Sequence, residues 1–417
     1  MTEAQVEIVG QDASAAAAAE EAPRGLGGRI LDNLRTGNLG ILPIVIGLAI
    51  IVVFFSFKAT NFFTGNNFDN IIIQMAGTAM LAYGVVFVLL LGEIDLSISY
   101  VAGIGALTVA ELQLAGSSHH INGLLAMVVA VAICAAIGGL QGSIVAFVGV
   151  PSFVVTLAGF LIWQGVILKV LEQPGSIIIQ DRWINYTASY FFSDTAGWLI
   201  AAVITAIYAV TVLGSVLGKR RAGIAIGNPG LVAAKLVGVA AASFGTVAIC
   251  NHARVPHGLP LAGVLVVIFL VVLTFLAKRT TFGRHVYAVG GNAEAARRAG
   301  INVPRIRILV FMISGAMAAI GGIILAANVN SVDLNFGGGT LLLNSIAAAV
   351  IGGVSLFGGR GEVRAAFLGA LVIATVSNGL NTAGYQTGVI YVVTGVILLL
   401  AVTLDTIARR LQVRSGR

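Results

Sequence analysis

Residues 306–329 read IRILVFMISGAMAAIGGIILAANV, with a single charge, Arg307, near the start. A helix needs roughly 20 apolar residues to cross the hydrocarbon core of a bilayer, and this stretch supplies them. Twelve segments meet that test: 39–57, 70–92, 96–115, 122–149, 152–171, 196–217, 231–250, 258–277, 306–329, 339–357, 365–383 and 387–405. The third begins just after Asp95 and contains Glu111, and the seventh contains Lys235. The expectation is an all-α, polytopic membrane helix bundle of about 12 (10–12) transmembrane helices.

Composition agrees. Of 417 residues, 58% are hydrophobic and only 10% charged, against about 25% charged in soluble domains. Glycine is abundant, at 53 residues; in membrane bundles small residues let helices approach closely. Gly138-x-x-x-Gly142 has that spacing. The net charge of +7 would suggest nucleic-acid binding in a soluble chain, but here it reads as a topology signal, and no nucleic-acid partner is expected.

With the N-terminus inside and twelve crossings, 19 of the 24 basic residues fall on cytoplasmic tails and loops. Lys58, Arg182 and Arg254 fall outside, while Lys169 and Lys235 lie near segment ends, where they can snorkel. Positive charge stays inside, so both termini are expected in the cytoplasm. The domain reading follows: 1–38 a cytoplasmic tail, 39–405 the membrane domain, and 406–417 a basic cytoplasmic tail. The first apolar run begins near Leu39, too far in for an ordinary signal peptide.

Two connections stand out by length. Residues 172–195 fall outside and carry Trp183, Tyr186, Tyr190, Phe191 and Phe192, the aromatic character of a membrane interface. Residues 278–305 fall inside and are basic and mostly polar; a loop of that length usually docks something. Within it, residues 293–299 are good helix formers, with Asn292 placed as an N-cap and Gly300 as a C-cap. A two-turn helix there would present Ala295, Ala296 and Ala299 as a small, smooth face for a groove in a partner.

Motifs of chemistry are missing. Gly214-Ser-Val-Leu-Gly218-Lys219-Arg220 has three residues between its glycines and no Ser/Thr after the lysine, so it is no phosphate loop. There is no HExxH, no GxSxG and no paired-cysteine motif; Cys134 and Cys250 sit singly in apolar runs. No catalytic residue, metal site or bound cofactor is expected.

The loop carries a specific likeness. Glu294-Ala-Ala-x-x-x-Gly300 resembles the loop of ABC importer permeases that docks on the ATPase, although the Ile-x-Leu-Pro that follows it in classical members is absent. The wider chain resembles the ribose/xylose/arabinose/galactose permease family of bacterial sugar importers. The stretches that carry this are Gly92–Tyr100, Pro151–Phe160, Asn344–Gly361 and Ser377–Asn381. The long 172–195 loop is most like that of the xylose-type members. The resemblance implies a multi-pass inner-membrane permease, working as a homodimer. It implies a cytoplasmic ABC ATPase that uses ATP and Mg, and a periplasmic sugar-binding protein that delivers a monosaccharide. It places the ATPase-coupling loop at Gly283, Arg284, Gly291, Asn292, Glu294, Ala295, Ala296 and Gly300.

Polar groups within the spans are the other candidates. Glu93 and Asp95 sit between two apolar segments. A carboxylate left in lipid costs at least ~2.5 kcal/mol, so both must face water, a partner or a helix N-terminus. Gly92, Glu93, Asp95 and Ser97 therefore read as a gate or hinge, or as the N-cap of the third segment, with Asp95 or Ser97 capping. Glu111 reads as helix pairing or pathway lining. A sugar path needs hydroxyl partners, and Asn344, Asn378 and Asn381 are the group singled out; Gln74, Gln141, Trp163, Gln164 and Ser377 are further suppliers. The rival functions are a permease for a branched-chain amino acid or nucleoside, and an ion-coupled transporter. The latter should pair ionisable residues within the membrane, and Glu111 has no evident basic partner.

Overall fold

The computed structural model describes residues 42–114, 119–224, 229–254 and 257–414; the expected tail 1–38 lies outside them. The chain divides into a body, Ile44–Thr403, and a terminal unit of Met1–Pro43 with Leu404–Arg417. Each of the twelve apolar segments contains a helix. In chain order the first are α1 (Leu42–Lys58), α2 (Gly65–Leu90) and α3 (Ile98–Leu112). Then come α4 (Gly123–Ser143), closed by a π turn at Ile144–Val148, and α5 (Ser152–Val170). After α6 (Arg182–Ser189) follow α7 (Asp194–Arg221), α8 (Pro229–Cys250) and α9 (Leu261–Arg279). Two short helices, α10 (Thr281–Gly291) and α11 (Ala293–Arg298), lead to α12 (Val303–Val329). Last come α13 (Leu341–Ile351), α14 (Val363–Thr382) and α15 (Thr387–Arg414).

Eight of these are long and apolar enough to cross a membrane. Helix α2 is the axis of the bundle: 94% of its apolar window is buried inside the protein, against 6% for α7 and α8, which lie at the periphery. A helix that is apolar all round belongs either in a core or in lipid, and here α2 takes the first place and α7 and α8 the second. Around α2 pack α12, α13 and α14, while α12 also packs on α3 and α4. The Gly138-x-x-x-Gly142 spacing is a real contact: a side chain at Gly138 would run into Phe311 O, and one at Gly142 would sit 3.0 Å from Ile308 Cα of α12.

Two segments depart from the expectation of continuous spans. Helix α13 has only 11 residues, about 16 Å of rise against the ~30 Å needed. The expected span 339–357 is broken: residues 334–340 enter without helix, and 352–362 turn away through Gly353, Gly358, Gly359 and Gly361, all with positive φ. Helix α3, of 15 residues, begins only at Ile98, because Gly92–Ser97 form a non-helical hairpin.

The two broken segments are related. Ile94-Asp95-Leu96-Ser97 recurs as Val332-Asp333-Leu334-Asn335, 238 residues later (333 minus 95). The same offset pairs Gly77 with Gly315, Gly84 with Gly322 and Gly92 with Asn330. Gly92 has φ +76°, and Asn330 is the sole non-glycine residue with positive φ among the described residues, at +54°. In each copy the aspartate accepts a bond from the backbone two residues on: Ser97 N to Asp95 Oδ1 at 3.0 Å, and Asn335 N to Asp333 Oδ1 at 2.9 Å. Helices α2 and α12 cross antiparallel, Gly77 against Leu325 and Gly84 against Ser314. Under the offset these two contacts exchange to within a few residues. The units α2–α3–α4 and α12–α13–α14 are thus inverted copies, each with a helix interrupted after the aspartate turn.

At one end of the bundle a two-stranded ladder, β1 (Ser176–Ile178) with β2 (Ser331–Asp333), ties the 172–195 connection to the second turn. Helix α6 lies in that connection, capped by Asp181. At the other, basic end lie α10 and α11.

Candidate functional site

Helix α10 occupies a stretch read from sequence as loop. Its start is fixed by Thr280, whose hydroxyl accepts from Gly283 N at 3.1 Å, and Gly283 packs so closely on Ala277 O that no side chain fits. Its end is seated on the last residue of α2 and on the turn after α13. A side chain at Gly290 would collide with Leu90 O, and Gly359 N donates to that same Leu90 oxygen at 2.9 Å. The Tyr287 hydroxyl donates to Gly361 O at 2.7 Å. The end of α2 and the turn after α13 therefore meet α10 backbone to backbone.

Helix α11 follows the sequence pattern. Asn292 caps it, accepting from Ala295 N at 2.9 Å, and Gly300 closes it at φ +84°. Glu294 pairs with Arg297 and, at 3.1 Å, with Arg298. The expected docking face needs one correction: Ala296 is buried, 4% exposed, and packs inward, whereas Ala295 and Ala299 are exposed. The face turned outward at this end comprises Arg284, Gly291, Asn292, Glu294, Ala295, Arg297 and Arg298.

Beside it, Glu362 bridges α9 and α14, 3.2 Å from Lys278 and 2.6 Å from Arg364. Burial pushes its carboxyl up, but the hydrogen bond and charge of Arg364, with Lys278, outweigh that and hold it below the usual carboxylate range. A depressed folded value contributes stability above the unfolded pKa, and that stability is lost as pH falls through the folded one. Thermal unfolding in detergent should therefore show a loss of stability on acidification below about pH 4, and Glu362→Gln should remove that part of the pH dependence.

The Gly92–Ser97 hairpin is held from three helices. Glu93 lies 3.2 Å from Arg307 of α12, without hydrogen-bond alignment at the guanidinium Nε. Ile94 N donates to Ser152 Oγ at 3.1 Å, and Ile94 O accepts from Thr156 Oγ1 at 3.2 Å, both on α5. Asp95 accepts from Ser97 Oγ at 2.7 Å and from Ser314 Oγ of α12 at 2.8 Å. Ser97 Oγ also lies 3.0 Å from Gln141 Oε1 of α4. Ser97 is the N-cap position of α3 but makes no side-chain cap bond; Asp95 holds the turn. Ser314 is about 16 Å along α12, so this is a hydroxyl-satisfied carboxylate deep in the bundle.

The three asparagines are not brought together. Asn344 Nδ2 reaches Thr340 Oγ1 at 3.4 Å, Asn378 is buried in α14 with its Oδ1 unpartnered, and Asn381 is exposed near the end of α14. Glu111 lies in the last turn of α3, half-buried, without an ion pair among the described residues. Within α10 the sequence reading named Gly283, Arg284 and Gly291 but missed Tyr287 and Gly290, and it missed the second aspartate turn at Asp333. Only the repeated aspartate motif could have pointed to the latter.

Comparison with known proteins adds the family. Residues 67–402 match the family described as branched-chain amino acid transport system / permease component. The xylose transport system permease protein of Haemophilus influenzae is 32% identical over 379 residues, 90% of this chain and 98% of that protein. The corresponding protein of Escherichia coli is 33% identical, covering 91% and 94%. The ribose import permease protein of Escherichia coli is 30% identical, covering 87% and 92%. No solved structure matches the chain at a significant level.

Proposed function

Because the chain belongs to the branched-chain amino acid transport system / permease component family, we propose that it is the membrane-spanning subunit of an ATP-driven ABC importer for D-xylose or a related monosaccharide. The amino acid in the family's description does not decide the cargo. Relatives aligned over nine-tenths of the chain carry xylose in their names, and others ribose. The site is the bacterial inner membrane. The basic end, with Arg284, Arg297 and Arg298, faces the cytoplasm, since positive loops stay inside, and the β1–β2 end faces the periplasm.

ATP and Mg act on a separate cytoplasmic ATPase, and a periplasmic sugar-binding protein delivers the cargo. Two copies of this chain form the transport unit. The observation that carries the mechanism is the seat of α10 on the end of α2 at Leu90 and on the turn after α13 at Gly358–Gly361. The ATPase engages the outward face of α10 and α11, at Arg284, Gly291, Asn292, Glu294 and Ala295. Movement of that face pulls the end of α2, two residues before the hairpin Gly92–Ser97, together with the turn after α13, because α10 packs on Leu90 and on Gly359. Gly92, Glu93, Asp95 and Ser97 form the hinge, and Asn344 and Asn378 contribute to the path.

The test is reconstitution in liposomes with the cognate ATPase and binding protein. Labelled D-xylose should accumulate only when ATP, Mg and binding protein are all present. Uptake by this chain alone on an ion gradient, or uptake of leucine but of no sugar, would overturn the reading.

A further inference from the structure

Helix α6 bridges a gap in the bundle. Its cap Asp181 accepts from the backbone of Gly123, the first residue of α4, at 3.3 Å. Just past its other end, Tyr190 O accepts from the backbone of Leu261, the first residue of α9, at 2.9 Å. The short helix is thus pinned to α4 at one end and to α9 at the other. Below it those two helices have different neighbours: α4 packs on α12, whereas α9 packs on α2 and α14. Between them lies a groove of about 650 Å³, walled by Leu124 and Val128 of α4, Leu265 and Phe269 of α9, and Ile320 and Ile324 of α12. Trp183, Tyr186 and Tyr190 close it above. Leu124 and Val128 are exposed, so the groove opens sideways, on the flank that meets lipid. From Leu261 to Phe269 its wall descends about 12 Å, most of the ~15 Å of one hydrocarbon leaflet.

We infer that this groove holds an acyl chain of an anionic phospholipid, whose phosphate rests on Arg182 at the rim. The occupant follows from what surrounds the gap. Protein interiors are close-packed, and an empty space costs its walls their dispersion contacts, so the groove is filled. Water is a poor filler, because a buried water needs two to four polar partners and the six wall residues offer none. The solvent at this depth is hydrocarbon chain, and the wall is about as deep as a leaflet. Tryptophan and tyrosine belong at the level of the headgroups, which sets Trp183, Tyr186 and Tyr190 at the interface and the groove directly beneath it. Charge completes the match. The Arg182 guanidinium carbon lies 4.8 Å from the centroid of the Trp183 ring, a cation–π contact that holds the cation beside the groove, and it forms no ion pair among the described residues. A lipid phosphate supplies the anion, in the bidentate geometry that arginine favours. The lipid comes from the outer leaflet in the orientation proposed above; its binding does not depend on the cargo.

The experiment is native mass spectrometry of the full-length permease released from mild detergent, with thermal unfolding beside it. The wild type should retain one phospholipid, and added phosphatidylglycerol should raise its melting temperature by several degrees. Val128→Trp fills the groove from an exposed position and should lose the bound lipid. Leu140→Trp, exposed on the same helix outside the groove, should keep it. Arg182→Gln should weaken retention of phosphatidylglycerol roughly fivefold, and Arg182→Lys should restore part of it. Wild-type protein that carries no lipid and is not stabilised by phosphatidylglycerol overturns the inference, as does a bound lipid that survives Val128→Trp. Both natural cysteines, Cys134 and Cys250, are buried, so Val128→Cys provides a single exposed thiol on the groove wall. Disulfide-linked dimers of that variant in membranes would give the groove to a second copy of this chain, and would equally overturn the inference. None of these readouts involves uptake, so a failure of the importer reading shows separately, in the transport assay.

Discussion

Ala296→Arg is expected to unseat the basic end of the protein, whereas Ala295→Arg, one residue earlier, is expected to leave the fold intact and stop transport. Ala296 is the one residue of α11 buried against the bundle, and its carbonyl also accepts from Ile301 N at 3.1 Å. A guanidinium forced into that buried position loses its water, and burying a charge without a partner costs about 3–5 kcal/mol. Ala295 is exposed and sits beside Glu294, which already holds two arginines. An added arginine at that position should change stability by no more than about 0.5 kcal/mol. It would, however, place a long cation on a surface whose smallness is what a partner groove accepts. Thermal unfolding of the purified permease should separate the two variants, with Ala296→Arg melting well below the wild type. Co-purification with the ATPase, and sugar uptake, should be lost in Ala295→Arg although it melts normally. Wild-type uptake by Ala295→Arg would place the docking surface elsewhere.

How far the sequence could be read differs from element to element for physical reasons. Helix α11 was legible because its caps are side-chain chemistry: Asn292 accepts from Ala295 N, and Gly300 takes the left-handed conformation that L-residues avoid. Helix α10 was not, because Gly283, Gly290 and Gly291 lower intrinsic helix propensity, and what repays them is close backbone contact with Ala277 and with Leu90 and Gly359, the last two distant in sequence. Hydropathy located all twelve segments but could not see that two are interrupted. The expected span 339–357 took in residues 339–340 and 352–357, whose glycines leave the helix. The inversion was written in the chain as Ile-Asp-Leu-Ser and Val-Asp-Leu-Asn, too short a likeness to weigh before the matching positive φ values and matching aspartate turns gave it geometry.

That the three asparagines do not come together has a simpler reason. Asparagine within a span is as well suited to helix–helix bonding as to a pathway, and spacing alone does not say which way a side chain faces.

Asp95→Leu is the second change with a large expected effect, and Asp95→Asn is the one that separates structure from mechanism. Three donors converge on this carboxylate: Ser97 N, Ser97 Oγ and Ser314 Oγ. Leucine is bulkier and accepts nothing, so Ser97 N and Ser314 Oγ would be left buried without partners and Ser97 Oγ would keep only Gln141 Oε1. Each such group costs about 1–3 kcal/mol, and the sum should abolish folding or leave a protein that is degraded after insertion. Asparagine keeps one oxygen for Ser97 N and Ser97 Oγ, and the Ser314 hydroxyl can turn to accept from the new amide. Its cost should be about 1 kcal/mol, small enough for normal expression and a near-normal melting temperature. If Asp95 only braces the hairpin, Asp95→Asn will transport at the wild-type rate. If the Gly92–Ser97 hinge works by exchanging the Ser97 hydroxyl between Asp95 Oδ1 at 2.7 Å and Gln141 Oε1 at 3.0 Å, weakening the first acceptor shifts that balance toward α4. Uptake should then fall several-fold while ATPase binding is retained. The inverted partner offers the control. Asp333 makes the same turn at an exposed position, where water can replace a lost acceptor, so Asp333→Asn should be nearly silent in stability. A hinge role shared by both turns would make it, too, slow transport, and a transport defect confined to Asp95 would mean that only the first interrupted span moves.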